Sequence, residues 1–241
     1  MIGFLSDVGM VRSLNEDFVC YHEDNDFNIY VVADGMGGHN AGEVASKMAA
    51  EGIVDFVKKY YSDGLGINVL KDAISYVNLE IYNHSLNDNT LKGMGTTVIA
   101  CLELDNKVIV ANVGDSSCFG INENEIVKIT KDHSLVQELV DLGTITEDEA
   151  ANHPKKNIIT RAVGTSDVVD SDIFVIDKNT YNIYLLCSDG LTNEVTKNEV
   201  VSVINENKDF NNICDKLVNL AKYKGGRDNI TVLLFGGEVV W

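Results

Sequence analysis

Four aspartates lie at the ends of strongly apolar segments, each close to glycine or a small polar residue. Asp34 ends IYVVAD, Asp115 ends IVANVGD, Asp189 ends IYLLCSD, and Asp228 directly precedes NITVLL. Two carboxylates about 4 Å apart repel by roughly 4 kcal/mol at an effective dielectric near 20, so a cluster of them either takes up protons or binds cations. Oxygen ligands without histidine or cysteine favour Mg²⁺ or Mn²⁺ over Zn²⁺. Each aspartate alone is more simply a turn former or a helix cap, but four such placements favour one shared site.

The segments that carry these aspartates have the composition of β-strands. They are rich in valine, isoleucine and tyrosine and read FNIYVVAD, TTVIACLEL, KVIVANVGD, NIYLLCSDG and NITVLLFGG. Several are apolar at consecutive positions, which is typical of strands covered on both faces. The second and third are joined by LDNKV, where Asp105 and Asn106 are good turn residues and predict a β-hairpin.

Helical periodicity separates these strands. The predicted stripes are Ala45, Ala49, Gly52, Phe56 and Tyr60; Leu70, Ile74, Val77 and Ile81; and Ile213, Leu217 and Leu220, followed by Gly225 and Gly226 as a stop signal. Asn40 and Glu43 have the spacing of an N-cap and its N3 residue. The order of elements is not the regular alternation of a parallel sheet. Two packed sheets with helices outside would bury all the apolar faces, so we predict an α+β fold.

Composition limits the classes of protein to which the chain could belong. Its 241 residues include one proline and no linker-like segment, which favours a single domain. A net charge of −18 disfavours nucleic acid and anionic membranes as partners. The start of the chain lacks the features of a signal peptide, and no apolar run approaches the ~20 residues of a membrane span. Five scattered cysteines predict buried free thiols in a reducing cytoplasm.

Eight motifs in order resemble one family. They are DVGMVRSLNED, ADGMGGHNAGEVAS, GMGTTV, ANVGDSS, ITKDHSLVQELVDLGTIT, HPKKNIITRAVG, LLCSDGLT and GGRDNITVLL. In this order and spacing the chain resembles the metal-dependent Ser/Thr protein phosphatases, the type 2C or PPM family, in its bacterial branch. The resemblance implies a four-layer α/β/β/α sandwich of two antiparallel sheets flanked by helices. It also implies one catalytic domain over 1–241, with a mobile flap segment at about 133–164.

The same resemblance implies a binuclear centre holding two Mn²⁺ or Mg²⁺ ions. In the family's pattern, Asp34 bridges both metals and Gly35 gives its backbone carbonyl to one of them. Asp189 and Asp228 complete the ligands of the first metal. This assignment uses three of the four aspartates that the strand ends had already singled out.

Further roles follow from the N-terminal motif and from ANVGDSS. The Glu16–Asp17 pair serves the second metal, directly or through water. Asp115 matches an acid that helps to bind a weaker third metal in bacterial members. Arg12 matches the arginine that holds the substrate phosphate, and a guanidinium suits this role because it can bind two phosphate oxygens at once. The simpler interpretation of Arg12 is a surface arginine, but its position four residues before Glu16 favours function.

The general acid is the least determined part of the site. Animal members of the family carry histidine where this chain has Met36. His39, three residues later, is one candidate for the catalytic acid, and its alternative role is to brace the start of the following helix. A metal-bound water is the third possibility.

Other motif residues are predicted to be structural or peripheral. Thr96 and Thr97 are expected to pack and to hydrogen-bond at a strand start, and His133 is expected to be structural. Ser117 replaces an arginine found in many members, at a position away from the metals.

The predicted activity is hydrolysis of phosphoserine and phosphothreonine on proteins by a metal-bridged hydroxide that attacks phosphorus in line. One general base supplies only about 10²–10⁴-fold of the very large acceleration that phosphate monoesters need. The expected setting is a bacterial cytoplasm, where a monomer opposes a Ser/Thr kinase. One alternative is a non-catalytic phosphoprotein-binding member, which retention of Asp17, Asp34, Asp189 and Asp228 argues against. The other is a partner-switching regulator, whose usual sensor domain has no room in this sequence.

Overall fold

The computed structural model describes residues 1–37, 41–62, 66–123 and 125–236. The strands in chain order are β1 (Ile2–Asp7), β2 (Asp17–Glu23), β3 (Asn28–Met36), β4 (Gly95–Thr96), β5 (Val98–Glu103), β6 (Lys107–Val113), β7 (Ser117–Asn122), β8 (Glu125–Lys128), β9 (Asp172–Asp177), β10 (Ile183–Cys187) and β11 (Ile230–Gly236). The helices are α1 (Ala41–Tyr60), α2 (Gly66–Asn87), α3 (Leu135–Asp141), α4 (Glu147–Ala151), α5 (Asp189–Thr192), α6 (Lys197–Asn205) and α7 (Phe210–Lys224). None of the helices in these ranges is long and apolar enough to cross a bilayer.

The strands form two antiparallel sheets. The first sheet has the order β1-β11-β10-β7-β8, and the second has the order β2-β3-β5-β6-β9, with β4 paired to β3. The predicted hairpin is β5–β6, closed by a hydrogen bond from the Leu104 amide to the Lys107 carbonyl at 2.8 Å. The chain crosses between the sheets after β1, β6, β8 and β9, so both sheets are built from distant parts of the sequence.

Alternate residues of each central strand belong to different cores. In β3, Ile29 and Val31 pack with the helices α1 and α2, whereas Tyr30 and Val32 face the other sheet. The ring of Tyr30 stacks on Phe235 of β11 with 4.1 Å between centroids, which joins the two sheets. Helices α5, α6 and α7 cover the outer face of the first sheet. The predicted α/β/β/α sandwich is therefore confirmed, and the continuous apolar runs are explained by strands covered on both faces.

The predicted helical stripes are confirmed for α2 but only in part for α1. Steps of mostly four residues turn the predicted α1 stripe away from the sheet, because a helix has 3.6 residues per turn. The deeply buried face of α1 continues through Ile53 and Val57. Phe56 instead packs on Tyr76 of α2 at 5.4 Å between ring centroids, and Tyr60 is 51% exposed.

Two local predictions need correction or fall outside the structure. Strand β3 does not end at Asp34 but runs on to Met36, because Gly35 and Met36 pair with β4. Asn40, the predicted cap of α1, lies outside the described residues.

The polar segment 133–164 holds the helices α3 and α4, which its weak periodicity did not predict. Side-chain caps stabilise both helices, with Ser134 at the start of α3 and a capping box at the start of α4.

Candidate active site

The predicted site residues come together at one end of the sandwich, around a cavity of about 250 Å³. The predicted residues that line it are Arg12, Glu16, Asp34, Gly35, Asp115, Asp189 and Asp228. Asp34 lies on β3 of one sheet, whereas Asp189 and Asp228 lie beside β10 and β11 of the other sheet. Asp17 is 6% exposed and pairs with Asp34 across β2 and β3. The shared rim inferred from the four strand ends is thus present in the structure.

The carboxylates of this cavity are costly to ionise together. Burial raises the pKa of Asp34 well above its usual range, and the charges of Asp17, Asp189, Asp115 and Asp228 raise it further. Burial also raises the pKa of Asp17 to about 7, although a hydrogen bond from Ser188 acts in the opposite direction. Burial is also the largest cause for Asp115 and Asp189, and repulsion from neighbouring aspartates is the next. Together they raise the pKa of Asp115 to about 7 and that of Asp189 to about 6.

These features fit divalent cations. The side-chain donors are all oxygens, which Mg²⁺ and Mn²⁺ prefer. The Oδ1 atom of Asp17 is buried and has no hydrogen-bond partner, so an uncompensated acceptor lies behind the cavity. Within the described ranges, no three side chains of His, Cys, Asp or Glu form a ready group around one metal position. The case for divalent cations in this cavity therefore rests on the oxygen donors and on the repulsion between the carboxylates.

Arg12 lies on the loop between β1 and β2 and reaches into this cavity. Its Nη2 atom is 2.9 Å from Oδ2 of Asp228, and the two side chains are 50% and 32% exposed. The charge of Asp228 raises the pKa of the guanidinium. The arginine expected to bind phosphate therefore contacts a carboxylate expected to bind metal.

Asn229 holds the two loops of this ion pair together. It is 5% exposed, and its Oδ1 accepts the amide hydrogen of Glu16 at 2.8 Å. Its Nδ2 donates to the carbonyls of Val8 at 3.1 Å and Leu14 at 2.9 Å. The sequence reasoning assigned Asn229 no role. The only signal in the sequence was its place directly after Asp228 in RDNIT.

Hydroxyl groups fix the backbone around Asp34. The Asp34 amide donates to Oγ1 of Thr97 at 3.0 Å, and Oγ1 of Thr96 donates to the Asp34 carbonyl at 2.9 Å. Oγ1 of Thr97 also lies 2.7 Å from Oγ of Ser116, the residue after Asp115. The predicted hydrogen-bonding role of the two threonines is confirmed. They also connect the strand of Asp34 to the loop of Asp115.

Ser188 makes the corresponding link between the sheets. Its hydroxyl donates to Oδ2 of Asp17 at 2.7 Å and accepts the amide hydrogen of Thr231 at 3.0 Å. Directly after it, Asp189 opens α5 and accepts a hydrogen bond from Nδ2 of Asn193 at 2.9 Å. The carboxylates of β2 and α5 are thus positioned through one buried serine.

Gly35 is required by packing. A Cβ atom there would lie 2.1 Å from the carbonyl oxygen of Gly42 and 2.6 Å from that of Glu16. The first turn of α1 therefore contacts β3 directly. The backbone of Gly42 also donates a hydrogen bond to the Glu16 carboxylate, whose pKa is raised by burial.

The histidine predictions have different outcomes. His39 lies outside the described residues, so its position relative to the cavity is not part of the structure. Met36 lines the cavity. His133 is structural as predicted: its Nδ1 accepts the amide hydrogen of Gly114 at 3.0 Å, and its Nε2 lies 3.2 Å from Oδ2 of Asp172. From the same 133–164 segment, Asn157 and Ile159 line the cavity, and the sequence reasoning did not single them out.

Comparison with known proteins agrees with this geometry. The protein phosphatase 2C family model matches residues 11–234. The serine/threonine phosphatase stp of Listeria monocytogenes serovar 1/2a is 40% identical over 96% of this chain and 93% of its own length. The crystal structure of serine/threonine phosphatase Stp1 from Staphylococcus aureus matches with a TM-score of 0.92 at 36% identity, covering 98% of this chain and 94% of that one. A crystal structure of the catalytic domain of the phosphatase PstP in complex with two manganese ions matches with a TM-score of 0.85 at 32% identity, covering 97% and 96%. The architecture, the clustered carboxylates and these similarities together show that the chain belongs to the protein phosphatase 2C family.

Proposed function

We propose that this chain is a metal-dependent protein phosphatase that hydrolyses phosphoserine and phosphothreonine. The observation that carries the proposal is the cavity where Arg12 meets carboxylates delivered by both sheets. A phosphate dianion could not approach such a cluster of negative charges unless cations neutralised it. The relatives from Listeria and Staphylococcus, which are named serine/threonine phosphatases, support the choice of substrate.

The residues that would hold the cations are those that the sequence singled out. Asp34, the Gly35 carbonyl, Asp189 and Asp228 would hold the first ion, and Asp34 would bridge to the second. The Glu16–Asp17 pair would hold the second ion, and Asp115 would help to hold a weaker third. When bound, Mn²⁺ or Mg²⁺ supplies an activated water in line with phosphorus and neutralises charge on the phosphoryl oxygens. Manganese is supported by its presence in the PstP structure.

The protein's own groups would orient the phosphate and hold the cavity in shape. The guanidinium of Arg12 would leave Asp228 and bind two phosphoryl oxygens, which the partial exposure of this pair permits. Asn229 would keep the loop of Arg12 in place. Thr97 is not a candidate nucleophile, because its hydroxyl is already bonded to the Asp34 amide and to Ser116. Water as the attacking group agrees with this arrangement.

The deciding experiment is hydrolysis of p-nitrophenyl phosphate and of a phosphothreonine peptide, with Mn²⁺ and with EDTA. We expect the wild type to be active with Mn²⁺ and inactive with EDTA. Asp189→Asn should lower kcat by roughly 100-fold, since one charged ligand is lost from the site, while the exposed Asp72→Asn on α2 should not change it. Activity that survives both chelation and Asp189→Asn would overturn the mechanism. No hydrolysis under any condition would favour the non-catalytic, phosphoprotein-binding alternative.

We further propose that the protein acts as a monomer in a bacterial cytoplasm and reverses the action of a Ser/Thr kinase. The bacterial origin of the similar phosphatases supports the setting. The net charge of −18 disfavours nucleic acid and anionic membranes as partners. Light scattering of the purified protein would give its molecular mass in solution and so test whether it is a monomer.

A further inference from the structure

A row of adjoining cavities, here called the channel, leads away from the carboxylate cavity. Asp115, Asn157 and Asp189 line both this cavity and a larger groove of about 750 Å³. The groove runs between the helices α3 and α4 on one side and the start of α6 on the other. A third cavity of about 260 Å³ adjoins the groove and shares Lys128, Thr192 and Lys197 with it. A chain whose phosphate sits at the carboxylates can therefore continue along the groove to this third cavity.

The groove is lined by four lysines, although the protein has a net charge of −18. Lys128 and Lys131 are neutralised by Asp132 and Asp141, at 2.6 and 2.7 Å. The other two form no salt bridge among the described residues, although Lys156 is close enough to Asp189 to lower the pKa of that carboxyl. Lys156 donates to the side-chain oxygen of Asn193 at 3.0 Å. The ammonium of Lys197 lies 5.9 Å from the centre of the Phe119 ring. Five carboxylates also line the groove: Asp132 and Asp141 are paired with lysines, Asp115 and Asp189 belong to the proposed metal site, and the fifth is Glu147. The lysine charge left for a substrate is therefore at Lys156 and Lys197.

The third cavity has apolar walls. They are formed by Phe119, Ile126, Leu185, Leu191, Val195 and Val200, and the polar residues Lys128, Thr192, Thr196 and Lys197 line the rest of the cavity. A dry cavity of about 150 Å³ can hold a benzene molecule, so 260 Å³ can accommodate a leucine or phenylalanine side chain. Asp189 and Leu191 belong to the same turn of α5, which places this apolar cavity close to the carboxylates.

We propose that this channel is a substrate-docking site for the polypeptide on one side of the phosphorylated residue. Lys156 and Lys197 select an acidic residue, and the apolar cavity beyond them takes a large apolar side chain a few residues from the phosphate. The proposal rests on the proposed function and adds a sequence preference to it. Charge complementarity with the two free lysines, and continuity with the catalytic cavity, favour this occupant.

The test uses phosphothreonine peptides in an alanine background. An acidic residue, a leucine or both are placed a few positions away from the phosphothreonine, on its N-terminal or its C-terminal side. For the wild type with Mn²⁺, we expect the doubly substituted peptide to have at least a tenfold higher kcat/KM than the alanine peptide, on one side only. Lys197→Glu should remove the advantage of the acidic residue, and Val200→Phe should remove that of leucine.

Controls separate docking from folding and from catalysis. An acid at the first position of α6 is compatible with the helix start, so Lys197→Glu should fold normally, which circular dichroism checks. Lys71→Glu, the same charge change on the exposed face of α2, should keep both preferences. All three variants should hydrolyse p-nitrophenyl phosphate within twofold of the wild type, because this small substrate does not reach the groove.

Two results would overturn the docking site while leaving the phosphatase activity intact. One is equal kcat/KM for all peptides in an enzyme that hydrolyses p-nitrophenyl phosphate. The other is a wild-type preference that survives both Lys197→Glu and Val200→Phe. Failure to hydrolyse p-nitrophenyl phosphate with Mn²⁺ would instead overturn the proposed function, and the docking site with it.

Discussion

Replacing Arg12 by alanine should change metal binding and substrate binding in opposite directions. In the structure the guanidinium contacts Oδ2 of Asp228 at 2.9 Å, and this carboxylate is a proposed metal ligand. A cation that binds Asp228 must therefore displace Arg12 or approach it closely. Removal of the arginine frees the carboxylate for metal but removes the group proposed to hold phosphate.

The exposure of the Arg12–Asp228 pair limits the expected gain in metal affinity. The two side chains are 50% and 32% exposed, so solvent screens their attraction. Pairs of this kind contribute about 0.2–1 kcal/mol. Loss of the pair should therefore raise the Mn²⁺ affinity by up to about fivefold. The expected loss of phosphate binding is larger. Hydrogen bonds to a charged group contribute about 1.5–3 kcal/mol, so kcat/KM for p-nitrophenyl phosphate should fall by roughly 10–150-fold.

Two measurements on the same variant separate these effects. Calorimetric titration with Mn²⁺ in the absence of substrate gives metal affinity, and steady-state kinetics at saturating Mn²⁺ gives kcat/KM. Arg227→Ala is the matched control, because Arg227 directly precedes Asp228 but is 75% exposed and faces Glu194. Weaker Mn²⁺ binding by Arg12→Ala, or a kcat/KM no lower than that of Arg227→Ala, would refute the reasoning.

Three further changes test other parts of the site. Asn229→Ala leaves buried backbone groups unsatisfied, so we expect about 1–3 kcal/mol lower unfolding free energy in urea together with lower kcat. In metal-free protein, the raised pKa values of Asp17, Asp115 and Asp189 mean that the native state binds more protons than the unfolded state, so Tm should rise as pH falls from 8 towards 5.5 and Mn²⁺ should reduce this dependence. If His39 is the general acid, His39→Asn should slow phosphoserine peptides by about 10²–10⁴-fold but leave p-nitrophenyl phosphate, with its good leaving group, nearly unchanged.

The first of these changes has a matched variant, and each of the three has an outcome that would contradict it. Asn211→Ala on the exposed face of α7 controls for loss of an asparagine, and equal losses in both variants would remove the special role of Asn229. A metal-free Tm that falls on acidification would contradict the repulsion argument. Equal slowing of both substrates by His39→Asn would point to a structural role, and no slowing of either would leave water as the acid.

Physical regularities explain why the sequence predicted the sandwich. Strand β10 is apolar at every position and β3 is apolar from Ile29 to Ala33, and only burial on both faces satisfies such runs. Asp34 and Asp189, which follow these apolar runs in the sequence, are exceptions to that composition, and this is why they identified the site. Residues that combine an unusual type with a regular position can be recognised without a structure.

Other parts depended on contacts that no local pattern encodes. Asn229 looks like any polar residue before a strand, and its importance comes from carbonyls more than 200 positions away in sequence. The predicted buried stripe of α1 was wrong in part because α2 covers one side of that helix. A periodic pattern predicts which face is buried but does not show whether a sheet or a neighbouring helix covers it. The helices α3 and α4 are short and depend on caps and on packing, so hydrophobic periodicity was too weak to reveal them.

The site depends on the interface between the two sheets as much as on its own residues. Asp17 and Asp34 belong to one sheet, whereas Asp189 and Asp228 adjoin the other, and Ser188 joins the two groups through Asp17. Their spacing is therefore set by how the sheets pack. One aromatic contact between the sheets is that of Phe235, which stacks on Tyr30 of the other sheet at 4.1 Å and on Tyr184 of its own sheet at 5.0 Å between ring centroids. Because closely packed cores transmit small shifts, a change of volume at Phe235 should alter carboxylate spacing although it touches none of these groups.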